Sequence, residues 1–368
     1  MMRPAFTSTR SAAAFAFLLL VLLLAPVWAG KNLLPPREQA YASLDWKGGP
    51  YPYLRHQIFE ETGDIDIAIL GSSRILHCLD ARRVQAELTQ KIGRPATVRV
   101  LGWGGGGFDA IYFIAQDLLA HRHVKMLVVY GDHNDGNRNK KSPVWFRFSE
   151  DGGALAGLPW CDQAQYYFAA LVGLPRNLLC QLRPNLPADL SVRNFWEEHY
   201  RSASLTATLG STTSELGFAD ADADPSVPFV PFQPAQGATA ADALVYSPAT
   251  AAHFAFSRQP LPAYEIHFTR QLAALAARND CRLVLLHVPA YGEIRQPQIG
   301  EPAFWPDLLG PHLVMLGVPP ATMFGGLPDE AVQKLYFNPG HLNENGQAYF
   351  TSLVLPALLK VYETATGH

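Results

Sequence analysis

Ile65-Asp-Ile-Ala-Ile-Leu-Gly-Ser-Ser-Arg74 decides the fold. Five of its first six residues are apolar, isoleucine recurs, and Gly71 stops the run, so the stretch predicts a strand buried on both faces. A helix follows, capped by Asp80, with Val84, Leu88 and Ile92 recurring on one face. Thr97 to Leu101 predicts a second strand, which runs into the cluster Gly102-Trp-Gly-Gly-Gly-Gly107. Phe108 to Leu119 predicts another apolar-faced helix, and Met126 to Tyr130 a third strand ending in Gly131-Asp-His-Asn-Asp135. Strands alternating with helices in this way imply an α/β fold, a parallel sheet with helices on both faces.

Outward from this core the pattern breaks and then resumes. From about Asn137 to Pro262 little periodicity is sustained, which predicts a partly irregular insertion over 141–261. Within it Ser204 to Ala252 is rich in Ala, Ser, Thr, Asp and Pro and predicts loop or partial disorder. The α/β pattern covers 61–140 and returns over 262–368, with a helix from Tyr264 to Arg278 and a strand from Arg282 to Val288, closed by Pro289. A loop, Phe337-Asn-Pro-Gly-His-Leu-Asn343, then precedes a final helix beginning near Asn345, for which Pro356 predicts a kink.

Toward the N-terminus, residues 30–60 read as a linker. In residues 1–29, Arg3 and Arg10 precede an uncharged run from Ala12 to Trp28 that ends before Gly30 and Lys31. That pattern predicts a signal peptide or, if uncut, a membrane anchor. Either way the rest of the chain lies outside the cytoplasm, because the basic residues precede the run. With 48% hydrophobic and 17% charged residues the chain supports a substantial core, and a net charge of -3 without a basic stripe speaks against nucleic acid as partner. No CxxC pattern argues for zinc among the four cysteines. Cys161 and Cys180 are candidates to pair across a short loop in an oxidising compartment, while Cys78 and Cys281 fall in core segments as buried thiols.

Open parallel sheets bind ligands at the carboxyl ends of their strands, so the Gly-Ser-Ser turn, the glycine cluster and His133-Asn134-Asp135 are expected to line one crevice. A serine on a strand-to-helix turn exposes its hydroxyl, and glycines admit a reacting carbonyl close to backbone. What this set lacks is a base, and His341 in the C-terminal loop supplies it.

The order Gly71-Ser72-Ser73, Gly105, Asn134-Asp135 and His341-Leu342-Asn343 resembles the four blocks of the SGNH, or GDSL-like, hydrolases over about residues 61–140 and 262–360. The resemblance implies a flavodoxin-like three-layer sandwich, Ser73 as nucleophile and His341 as base. It also implies an oxyanion hole from Ser73, Gly105 (with Gly104 or Gly106 as alternatives) and Asn134. The Gly-Ser-Ser form with an N-terminal membrane segment resembles the branch that handles acyl groups on bacterial envelope polymers. It therefore implies an exported serine esterase or O-acyltransferase, periplasmic or otherwise extracytoplasmic and, if uncut, anchored to the inner membrane, acting on acyl, foremost acetyl, esters of carbohydrate or envelope polymer, with no cofactor and no metal. Two positions depart from the family pattern. Ser72 replaces the usual acid of the first block, and Asn338 stands three residues before the histidine where the family has its catalytic acid. Asn338 can orient the imidazole but not stabilise its charge, which leaves a weak dyad enzyme, an acid from elsewhere such as Glu344, or an inactive carbohydrate-binding or assembly factor.

A different class competes for the glycine cluster, since Gly102-x-Gly104-x-x-Gly107 with Asp132 further on fits a dinucleotide fingerprint. Export and the idle serine turn count against that reading. Asp132, His133 and Asp135 sit too close together on one loop to converge on a metal, and a solvated turn is the simpler expectation.

Overall fold

A computed structural model describes residues 8–33, 36–42, 51–103, 107–131, 145–148, 150–181, 244–247, 263–294, 312–325 and 327–366. In chain order the elements are α1 (Thr9–Leu33), α2 (Arg37–Ala42), α3 (Tyr51–Arg55), β1 (Ile65–Gly71), α4 (Ser73–Leu76), α5 (Ala81–Ile92), β2 (Val98–Gly102), α6 (Phe108–His121) and β3 (Val124–Tyr130). They continue with α7 (Gly152–Leu155), α8 (Trp160–Gln181), α9 (Ala263–Arg278), β4 (Arg282–His287), β5 (Leu313–Gly317), α10 (Pro320–Phe324), α11 (Asp329–Gln333), β6 (Tyr336–Asn338), β7 (His341–Leu342) and α12 (Glu344–Thr366).

Residues 44–139 and 187–368 form one compact unit, the α/β unit. Its five strands make an all-parallel sheet in the order β2-β1-β3-β4-β5. Every residue of β1 is buried, as a strand covered on both faces requires. On one face Ile67, Ile69, Met126, Val128, Val284 and Leu286 share a core with α5 (Val84, Leu88) and α12 (Val354, Leu358, Tyr362). On the other, α6 and α9 pack through Phe113 and Phe268, whose rings lie 6.1 Å apart. The unit is thus α/β, consistent with three layers. Asp80 caps α5 by accepting from the amides of Arg82 and Arg83, and full burial of Val84 and Leu88 on that helix is worth about 2 kcal/mol each.

At the amino-terminal pole of the sheet Asp66 is buried and accepts from Arg94 (2.5 Å), Lys125 (3.2 Å), the Tyr362 hydroxyl (2.7 Å) and the Thr97 amide (2.9 Å). Burial alone would raise its pKa, but these donors outweigh burial and hold the carboxyl well below the usual carboxylate range. Asp66 therefore closes the end of the sheet away from the strands' carboxyl termini.

Residues 1–43 and 140–186 form a second unit. Its core is aromatic: Tyr41 meets Trp145 edge-on at 5.8 Å, and Phe146, Phe148 and Tyr166 are buried around them. Arg37 binds the buried Asp151 at 2.9 Å, and the Tyr167 hydroxyl donates to the Leu23 carbonyl. Among the described residues no helix is long and apolar enough to cross a membrane.

Several expectations change. The region expected to lack periodicity contains α8, a helix of 22 residues. Cys161 and Cys180 both lie on it, nineteen residues or about 28 Å apart along the axis, so no short loop brings them together for a disulfide. Cys161 is instead an exposed free thiol. Cys78 and Cys281 are buried thiols as expected, and burial pushes the Cys281 thiol up to about 12. Helix α12 begins at Glu344 and runs through Pro356 without interruption. β5 was not anticipated. The segment Ser204 to Ala252 lies almost wholly outside the described residues.

Candidate active site

Strand register brings the chemistry-bearing turns to one edge. Gly71 pairs with Gly102, Leu70 with Val129, Tyr130 with Leu286 and His287 with Gly317, so the carboxyl ends of all five strands are level. Ser73 opens α4 directly after β1, following Ser72, whose backbone is extended. As the first helical residue Ser73 has an N–H without an intrahelical acceptor. Helix α4 sits close on the end of β2: a Cβ at Gly102 would come within 1.9 Å of Leu76 Cδ2. Only glycine at 102 leaves room for this approach.

His341 reaches the same edge from a hairpin rather than the expected loop. β6 and β7 pair antiparallel, with Asn338 opposite His341. Behind the hairpin Asn343 is buried, gives its side-chain N–H to the Lys334 carbonyl and caps α12 by accepting from the Gly346 amide. Ser73 Oγ lies 2.9 Å from His341 Nε2, and His341 Nδ1 lies 2.8 Å from Asn338 Oδ1.

The direction of these hydrogen bonds follows from a fourth group. The Gly340 N–H, which can only donate, reaches Asn338 Oδ1 at 3.0 Å. The amide atom facing the hairpin is therefore oxygen, and His341 Nδ1 must carry the proton. Nε2 is left with its lone pair toward Ser73, whose hydroxyl donates to it. That is the tautomer a general base needs.

Burial holds the His341 pKa down to about 3, and the neighbouring His77 and Arg74 push in the same direction. His77 was not singled out from sequence. It lies four residues after Ser73, at the C-terminal end of α4, and its ring meets that of His341 edge-on at 6.0 Å. Burial lowers its pKa to about 4, so both imidazoles are neutral near pH 7. Glu344, the alternative acid, is exposed at the start of α12, and the Nδ1 it would need is taken by Asn338.

The turn after β4 ties the site together, and sequence reading missed this too. Its Val288 carbonyl accepts from Arg74 at 2.7 Å, and its Pro289 carbonyl from the Tyr336 hydroxyl at 2.5 Å. Its Tyr291 amide donates to the Pro339 carbonyl at 3.0 Å. One turn thus holds the residue after Ser73, the strand before Asn338 and the residue between Asn338 and Gly340. The turn is itself held by Glu293, which accepts from the Ala290 amide at 2.9 Å and lies 3.0 Å from the buried His287. The Arg74 guanidinium also stacks over Tyr130, 4.7 Å from the ring centroid.

Gly105, with Gly104 and Gly106, and Asn134 with Asp132, His133 and Asp135, lie outside the described residues. Among the described residues no group of His, Cys, Asp and Glu is arranged to hold a metal ion. Comparison with protein-family models finds none that matches this chain, and comparison with the curated proteins finds no match either.

Proposed function

We propose that this protein is an exported serine hydrolase of the SGNH type that cleaves or transfers acyl groups, acetyl foremost, on a carbohydrate or cell-envelope polymer. The observation that carries the reading is the line Ser73–His341–Asn338 with its tautomer fixed by the Gly340 amide. The strand order β2-β1-β3-β4-β5 supports it, being that of flavodoxin-like doubly wound sheets with their ligand crevice where the order reverses, between β1 and β3.

Ser73 Oγ attacks the acyl carbonyl while its proton passes to His341 Nε2. The negative charge that develops on the carbonyl oxygen is met by the Ser73 N–H, with Gly105 and Asn134 as the proposed further donors. Collapse of the intermediate expels the sugar hydroxyl, which takes the proton back from Nε2 and leaves an acyl-serine. Water, or a second hydroxyl in the transfer reaction, then attacks the acyl-serine as His341 takes its proton, and Ser73 is regenerated. Throughout, Nδ1–H stays on Asn338. Neither cofactor nor metal enters this scheme.

The apolar, exposed helix α1 supports attachment to a membrane with the α/β unit outside the cytoplasm, and α1 continues as helix through the Ala29–Gly30 junction at which a signal peptide would be cut. A dinucleotide site fits less well, because the glycine cluster follows β2 at the end of the strand order rather than a strand flanking the reversal.

The amide at position 338 favours a second reading, a carbohydrate-binding or assembly factor that keeps the crevice but not the chemistry. Treating the full chain with a fluorophosphonate probe, alongside Ser73→Ala, separates the two. The enzyme reading expects Ser73-dependent labelling and acetyl-ester hydrolysis that the variant loses. Polymer binding by both proteins with labelling of neither would leave the binding factor.

A further inference from the structure

Large apolar side chains exposed to solvent are confined, among the described residues, to two helices of one unit: α1, from Phe15 to Leu24, and α8, at Trp160, Phe168 and Val172. On α8 these three are 81%, 62% and 63% exposed. Together with the exposed Ala164 they fall at four-residue spacing and form one stripe. From Trp160 to Pro175 no exposed position holds Asp, Glu, Lys or Arg. An ordinary surface helix turns its charged residues outward, whereas α8 turns large apolar ones outward.

We propose that α8 is a lipid-contacting helix that lies in the bilayer interface beside α1. This rests on the membrane attachment proposed above and extends it to a second element. The occupant is argued from α1. Its exposed residues include every position from Phe17 to Leu22, which at 100° per residue encircle the helix. A protein surface covers one side of a helix, whereas lipid covers all of them. The hydrogen bond from Tyr167 to the Leu23 carbonyl joins α8 to this apolar stretch, so lipid surrounding α1 meets α8 as well. Trp160 and Tyr167 pair an apolar ring with a polar tip, the chemistry of the headgroup zone.

Cys161, exposed next to Trp160, gives a direct probe, since Cys78 and Cys281 are buried. The full chain with Cys180→Ser is labelled at Cys161 with a polarity-sensitive nitrobenzoxadiazole fluorophore and reconstituted in vesicles of phosphatidylethanolamine and phosphatidylglycerol. Glu87→Cys, on the exposed face of α5 and with Cys161→Ser, serves as the aqueous control. Flotation is measured first, and protein that fails to float with the vesicles overturns the attachment and the inference with it. If it floats, the Cys161 label is expected to be blue-shifted, and quenched severalfold more by shallow nitroxide lipid than by iodide. Trp160→Ser combined with Phe168→Ser is expected to reverse that ratio without loss of flotation. A label quenched by iodide like the control overturns the role of α8 while leaving the attachment standing. A label shielded from both quenchers means that a protein, another segment of this chain or a second copy, covers the stripe, which also overturns it.

Discussion

Asn338 carries two donors on one oxygen, the Gly340 amide and His341 Nδ1. The usual penalty for an amide in this position comes largely from the wrong tautomer, with the amide NH₂ turned toward the imidazole. Here the backbone at 340 prevents that, so what the amide lacks is charge alone. Asn338→Asp is therefore expected to raise kcat for acetyl-ester hydrolysis by about 10-fold, and Asn338→Ala to lower it by about 100-fold, with steady-state rates as the check. The pH profile follows from the same residues. With its pKa near 3, His341 remains a neutral base through mildly acidic pH, so the acid limb of kcat/KM is expected well below 6.5. The carboxylate of Asn338→Asp favours imidazolium and moves that limb upward; an unmoved limb would show that another group titrates there. Ser73 was legible because it follows a strand end and His341 because the C-terminal loop offers a base, whereas Asn338 came from the resemblance to the SGNH blocks, which have their acid at that position. His77 and Arg74 were not, because their roles come from partners the chain brings in from afar: Arg74 meets Val288 across 214 positions, and His77 meets His341.

At the scale of elements, the placement of α4 on the end of β2 decides where Ser73 points. Gly102→Ala forces the buried Leu76 side chain from its place beneath α4, which predicts a loss of about 1–3 kcal/mol and a fall in fluorophosphonate labelling. Gly93→Ala makes a suitable contrast. Gly93 ends α5 at φ 69°, with open space around a would-be Cβ, so the change is expected to cost about 1 kcal/mol through backbone strain alone and to leave labelling intact. Denaturant unfolding of both variants measures the difference. Long apolar runs such as Ile65–Leu70 made four of the five strands readable. β5 escaped although Leu313–Gly317 is as long and as apolar as β2, because no readable alternation of helix and strand leads into it. Helix α8 escaped for another reason: its outward face is apolar, so the contrast between inner and outer faces that marks a surface helix is weak.

Across the whole molecule, three titratable groups make stability depend on pH in the same sense. His77 and His341 have folded pKa values near 4 and 3, below the ordinary 6.5, so between those limits the unfolded chain binds protons that the folded chain refuses. Stability is expected to fall as pH drops from about 6.5 toward 4. The Asp66 carboxyl, held below its ordinary range, adds a further loss below about pH 4. Thermal midpoints measured from pH 7 to 4 test this, and His77→Gln is expected to flatten the slope. Asp66→Asn is expected to cost about 1–3 kcal/mol at pH 7, less than a fully buried pair would, because Arg94 and Lys125 keep part of their hydration.

The bond between Ser73 and His341 joins residues 268 positions apart. During synthesis the serine is made early and its base close to the end, and β4, which supplies the turn that clasps them, comes between. A growing chain therefore carries an unactivated hydroxyl until its last helix has emerged and docked. The pairing of this serine with its histidine is thus among the last contacts the chain can make, and it reports closure of the sheet from its first strand to its final hairpin.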